Sequence, residues 1–309
     1  MLEQENVSMN EQNTSVAVIP KSDNDLPKKD KKIKKQKEKR VKKCKEIESD
    51  NAPLDFDPFT LLAQILDSTP EIIKEECVLY QIRKITSRLN KVVVRYNVTS
   101  AEMEKIFLNA NALKLGGLSV APIYLSMCAK QAKKHSLHDM IVSAVIDFPF
   151  GESSFRGKLA NVKESVKIGA DKFTVTMPSM LFTEENSKEL KKQLKRLGNN
   201  YKSNAGITVN ATDLSEDKIK RAVKAVSKSK LGYIIFAFGE STLNEVKTKL
   251  DVINKYRSGK NIGVIANVDS VEAVSELIKL DVDYILTPYA DLIGKELFEK
   301  FKIKSVKLY

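Results

Sequence analysis

From about residue 91 to its end, this 309-residue chain alternates short apolar runs with helix-like segments, eight times over. That alternation constrains its fold more than any other feature. The runs are VVVRY (92–96), GLSVAP (117–122), MIVSAVIDF (140–148), KFTVTM (172–177), GITVNA (206–211), GYIIFAF (232–238), IGVIANV (262–268) and DYILTP (283–288). Near-continuous hydrophobicity marks strands buried on both faces, as in a parallel sheet. Between the runs lie segments such as NVKESVKIGA and SEDKIKRAVKAVSKS, whose apolar residues recur at helical spacing. Parallel strands need such crossovers, and eight βα units close a (β/α)8, or TIM, barrel. An open doubly wound sheet is the alternative. It would want a glycine-rich phosphate turn after the first strand, and none is there. The expectation is one α/β barrel over residues 91–309.

Upstream the composition changes. Residues 1–53 are polar and nearly free of aromatics, too poor in apolar surface to offset the entropy of ordering, so a disordered tail is expected. The run from Lys28 to Lys45 sets twelve lysines and arginines against Asp30 and Glu38, and so holds ten of the chain's twelve net positive charges. The remainder is nearly neutral. Such a run suits nucleic acid or another polyanion, with an anionic membrane surface as the lesser partner. Residues 54–90 read as a helical extension. Asp57-Pro58 offers an N-cap followed by proline, leading to Phe59, Leu61, Leu62, Ile65 and Leu66. A second start at Ser68-Thr69-Pro70-Glu71 leads through Ile72, Ile73 and Val78 to Leu89. These helices are expected to pack against the bottom of the barrel.

Several classes of function receive no support. No apolar run approaches the ~18 residues of a membrane span, and the N-terminus lacks the apolar stretch of a secretory signal. Cys44, Cys77 and Cys128 are scattered, which suits a reducing cytoplasm better than a disulfide framework. His135 and His138 lie in a polar connection without a cysteine or acidic cluster, so neither a metal nor a cofactor is expected.

One stretch carries a more specific message. Val145-Ile146-Asp147-Phe148-Pro149-Phe150-Gly151, followed by Ser153-Ser154 and Lys158, resembles the third-strand GFPLG-x-T-T-x-x-x-K pattern of deoxyribose-phosphate aldolases, with Asp147 in place of a glycine. Ile168-Gly169-Ala170-Asp171 is similar to the NGAD that precedes that family's fourth strand. The helix starts at Thr99-Ser100-Ala101-Glu102 and Leu214-Ser215-Glu216-Asp217 look like their counterparts. The resemblance covers roughly residues 92 to 292.

It implies a class I aldol cleavage of a phosphorylated deoxy-sugar. In that chemistry a lysine amine forms an imine, a second lysine lowers its pKa by like-charge repulsion, and an acid relays protons. At the corresponding positions this chain has Phe236 on strand six, Ile265 on strand seven and Thr174 on strand four. No catalytic residue is therefore assigned. The loops expected to hold phosphate, Asn267-Val268-Asp269 and Thr287-Pro288-Tyr289-Ala290-Asp291, contain no glycine, lysine or arginine. Polar residues left as ligand-binding candidates at the top face are Arg95, Asp147, Arg156, Lys158, Asn210, Asp213 and Asn267. Arg156 and Lys158 would share a loop and an anion. Two functions follow: a non-catalytic aldolase-like barrel acting as a binding or scaffold module, or an active lyase on a phosphorylated deoxy-sugar through residues not identified. The oligomeric state is left open.

Overall fold

Eight parallel strands hydrogen-bond in sequence order and close on themselves, β1 pairing with both β2 and β8. The computed structural model describes residues 69–301, His138 and Asp213 aside. The lysine-rich run and the first added helix lie outside the described residues. The strands are β1 (Leu89–Val93), β2 (Gly117–Val120), β3 (Val142–Ile146) and β4 (Lys172–Met177), then β5 (Ala205–Asn210), β6 (Tyr233–Ala237), β7 (Asn261–Ile265) and β8 (Tyr284–Thr287). Helix α1 (Pro70–Thr86) precedes them. One helix follows each strand: α2 (Ser100–Ala112), α3 (Leu125–His135), α4 (Phe155–Ile168) and α5 (Ser187–Tyr201), then α6 (Glu216–Ser227), α7 (Leu243–Tyr256), α8 (Val271–Lys279) and α9 (Ala290–Lys300).

The helices begin where the sequence supplies caps. Thr99 and Glu102 form a reciprocal capping box on α2, and Thr242 and Glu245 do the same on α7. Ser154, Ser215 and Ser270 cap α4, α6 and α8 with their hydroxyls. Gly169 closes α4 at φ +115°, a left-handed conformation that an L side chain resists.

Two apolar layers result. The larger lies between strands and helices and contains Phe107, Phe173, Phe182, Phe236 and Phe238. The smaller lines the barrel axis: Val92, Tyr233, Ile235, Ala237, Ile265 and Leu286. The first strand starts at Leu89, three residues before the expected run, because the pleat there places Val92 inward and Val93 in the outer layer. Among the described residues no helix is long and apolar enough to cross a membrane. Helix α1 reaches the end of the barrel where strands begin: its last residue, Thr86, accepts the Gly116 N–H through its carbonyl at 3.0 Å and donates its hydroxyl to the Lys114 carbonyl at 3.1 Å. Cys77 on α1 is disulfide-bonded, a departure from the reading of the cysteines as unpaired. Cys128 is free and buried, and burial pushes its thiol up to about 12.

Candidate functional site

The strand alternation decides which side chains reach the axis. On β6 the inward residues are Tyr233, Ile235 and Ala237, whereas Phe236 points outward beneath the helices. Phe236 therefore does not occupy the position where an amine could face a substrate. In the V-K-T-S-T-G-F pattern the lysine stands four residues before the glycine, and counting back from Gly239 also reaches Ile235. Ile265 does face the axis, as does Thr174 in the cavity just below it. Ile235 stands opposite Gly263, where an added Cβ would come within 2.9 Å of Ile235 Cγ1. One layer lower, Tyr233 stands opposite Gly206, and a Cβ there would meet the tyrosine ring at 2.4 Å. Large side chains from β6 thus lie over glycines on both neighbours, which is how a packed core is built.

Below this plug is a cavity of about 40 Å³, lined by Asn90, Ser119, Ser143, Lys172 and Thr174 among others. Lys172 lies at the start of β4 with its amine 5.5 Å from the Tyr284 ring centroid, at the closed end of the barrel. The hydroxyls of Thr174, Thr176 and Thr208 are buried and have no hydrogen-bond partner. Thr176 and Thr208 are register partners on β4 and β5.

Lys158 departs from the expectation of a solvated loop charge. It lies in the first turn of α4 and is buried, its amine donating to the Gly151 carbonyl at 2.6 Å and the Thr176 carbonyl at 2.8 Å. Asp147 Oδ2 lies 3.2 Å away. Burial lowers the pKa of Lys158, and the Asp147 carboxylate opposes that shift only in part. Asp147 also accepts the Ser153 N–H at 2.9 Å and the Ser153 hydroxyl at 2.8 Å. Gly151, at φ +72°, turns back under β4, where a Cβ would meet the Thr176 carbonyl oxygen at 2.7 Å. The aldolase-like stretch is therefore a fastened loop. Arg156, two residues away, is exposed, so it does not share an anion site with Lys158.

A larger cavity, about 640 Å³, opens at the mouth of the barrel on the side of β1, β7 and β8. Its floor includes Val92, Phe148, Ile265 and Ala266. Of the expected ligand residues it collects only Arg95 and Asn267. Arg95 is paired with Glu102 at 3.0 Å, and Asn267 donates its amide to Glu240 at 2.9 Å. Asn210 lies elsewhere, exposed at the end of β5, accepting the Thr212 N–H at 3.0 Å. Asp213 lies outside the described residues. Lys91 belongs to the wall of this cavity and was not among the sequence candidates, since the first strand was expected to start after it. Its amine binds the Pro288 carbonyl and Asp291 Oδ1, the latter at 2.5 Å, so Asp291 is neutralised and not a free repelling charge. The loops after β7 and β8 are bound to each other: the Thr287 hydroxyl donates to the Val268 carbonyl at 2.7 Å and accepts the Tyr289 N–H at 3.2 Å. A backbone donor that a phosphate could have used is thereby occupied.

No family model matches the chain. Curated relatives do. The chain is 23% identical over 194 residues to the enzyme of Staphylococcus carnosus, covering 60% of this chain and 86% of that one. It is 23% identical over 221 residues to that of Mycoplasmoides pirum, covering 69% and 98%. These relatives are deoxyribose-phosphate aldolases. Among solved structures, the aldolase QR15 superposes with a TM-score of 0.63 at 20% identity, covering 72% of this chain and 99% of that one. The deoxyribose phosphate aldolase of Aeropyrum pernix gives 0.59 at 16% identity, covering 73% and 97%. The similarity to deoxyribose-phosphate aldolases thus spans the barrel at low identity, as the Phe148–Gly151 stretch implied.

Proposed function

We propose that this barrel is a non-catalytic relative of deoxyribose-phosphate aldolases that serves as a binding or scaffold module, its basic segment contacting a polyanion in the cytoplasm. One observation carries the reading: the inward positions of β6 and β7 at which an imine-forming amine and its partner would stand hold Ile235 and Ile265. Isoleucine offers no nucleophile, and Gly263 leaves room for Ile235 to fill the axis. The two lysine amines that approach the interior do not restore the chemistry. Lys172 sits at the closed end, and Lys158 spends its protons on two carbonyls. The fastened loops after β7 and β8 remove the phosphate cradle as well. The test is incubation of the full chain with deoxyribose 5-phosphate and borohydride, followed by intact mass. No stoichiometric adduct is expected. An adduct mapped to a barrel lysine would establish instead an active lyase using residues outside the pattern.

A further inference from the structure

Exposed large apolar side chains are unevenly spread over this barrel. Tyr96 follows β1, Ile123 follows β2, Phe150 follows β3 and Met180 follows β4, while Tyr289 and Leu292 follow β8. Their exposure runs from 38% for Tyr289 to 96% for Tyr96. Because the strands close in sequence order, the loops after β8, β1, β2, β3 and β4 are neighbours around the mouth. The loops after β5, β6 and β7 expose polar residues there instead, including Asn210, Glu240 and Asn267. An apolar arc and a polar arc therefore share one face. Scattered exposed apolar residues need no explanation, but a set gathered on one face marks a binding surface.

The partner must satisfy two conditions. It must take up separate apolar loop tips, and it must be anionic, since the chain carries twelve net positive charges. That charge opposes a second copy of the same chain. A nucleic-acid strand is anionic and could stack on Tyr96, Phe150 and Tyr289, but it has no use for Ile123, Met180 and Leu292. An anionic bilayer meets both conditions: side chains at the tips enter the boundary between headgroups and acyl chains, and basic residues are attracted to its surface. Stable anchoring generally takes two such signals acting together. We infer that the apolar arc formed by the loops after β8 and β1 to β4 docks on an anionic lipid surface, with the Lys28–Lys45 run as the second attraction. This deepens the reading of the barrel as a binding module and rests on it.

The chain contains no tryptophan, so Phe150→Trp places a single fluorophore at one loop tip. Mixed with vesicles of phosphatidylserine and phosphatidylcholine, the full-length variant should show blue-shifted emission, quenched by brominated acyl chains, and no change with phosphatidylcholine alone. Ile123→Ser and Met180→Ser, added singly to it, should each weaken binding roughly tenfold, the equivalent of one apolar side chain kept in water. Their melting temperatures should hold, because both side chains are exposed. Vesicle binding with unshifted emission would overturn the inference and leave the basic run as the sole contact. A shift with single-stranded DNA and none with vesicles would make the partner a nucleic acid. A shift that grows with protein concentration alone would make it a second copy. The imine test reads separately: an adduct with intact vesicle insertion refutes only the loss of catalysis, and its absence with unshifted emission refutes only the lipid surface.

Discussion

At the Lys158 amine, burial and pairing pull in opposite directions. Burial disfavours its charge, while Asp147 and the carbonyls of Gly151 and Thr176 compensate. Removing it with Lys158→Met leaves both carbonyls and a partly buried carboxylate without their donor, and should cost about 3 kcal/mol in denaturant unfolding. The pH dependence has a definite sign. The folded pKa is below the ordinary lysine value of about 10.4, so between those two values the unfolded chain binds more protons. Stability contributed by this residue therefore rises with pH through that window. Measured from about pH 8 to about pH 10.4, the difference between the wild type and Lys158→Met should widen in favour of the wild type. A constant difference would show that the amine titrates as it does in water. At this scale the sequence was partly legible. Thr174 and Ile265 fall on inward positions as expected, whereas Phe236 was off by one, and in a strand one residue exchanges the axis for the outer layer. Lys158 was misread because a lysine after a loop ordinarily reaches water, and only tertiary packing reveals the carbonyls that enclose it.

Among the elements, Arg257 at the end of α7 joins three segments. It donates to the Lys260 and Asp281 carbonyls, at 3.2 and 2.5 Å, and to the carboxylates of Asp281 and Asp283, at 2.7 and 2.5 Å. Asp283 in turn accepts the Ile262 N–H at 2.8 Å. One guanidinium thus fixes the beginnings of β7 and β8 at the end of the barrel away from its mouth. Arg257→Ala should lower unfolding stability by about 2 kcal/mol with an unchanged denaturant slope, and Arg257→Lys should recover little of it, lacking the planar fork. The elements themselves were readable to within a few residues, because apolar runs, caps and helical spacing are local signals. Where β1 begins was not, since Leu89, Lys91 and Val93 share the outer side and alternate with inward Asn90 and Val92, so no continuous apolar run marks its start.

Over the whole chain, charge and fold are separable. The net charge belongs mostly to the Lys28–Lys45 run, so affinity for duplex DNA should fall about a thousandfold or more between about 50 and about 200 mM salt. A chain beginning at residue 54 should show neither the affinity nor the steep slope. Equal binding by both forms would move the contact onto the barrel. The barrel could be read from the sequence because eight repeats leave few alternatives. The mouth cavity could not, since Lys91, Glu240 and Asp291 come together there from β1 and from the loops after β6 and β8.

The glycines beside β6 have one further consequence. Gly206 gives Tyr233 its place on the axis, and the tyrosine hydroxyl reaches the Phe173 carbonyl at 2.9 Å. Gly206→Ala alone would drive a methyl group into the ring, and Tyr233→Ala alone would leave a hole and an unpaired carbonyl. Made together, the methyl group enters space the ring has vacated, and the combined loss should be smaller than the sum of the two. The pair behaves as one inherited unit: in any lineage of such barrels, a side chain can return at position 206 only after the ring at 233 has gone.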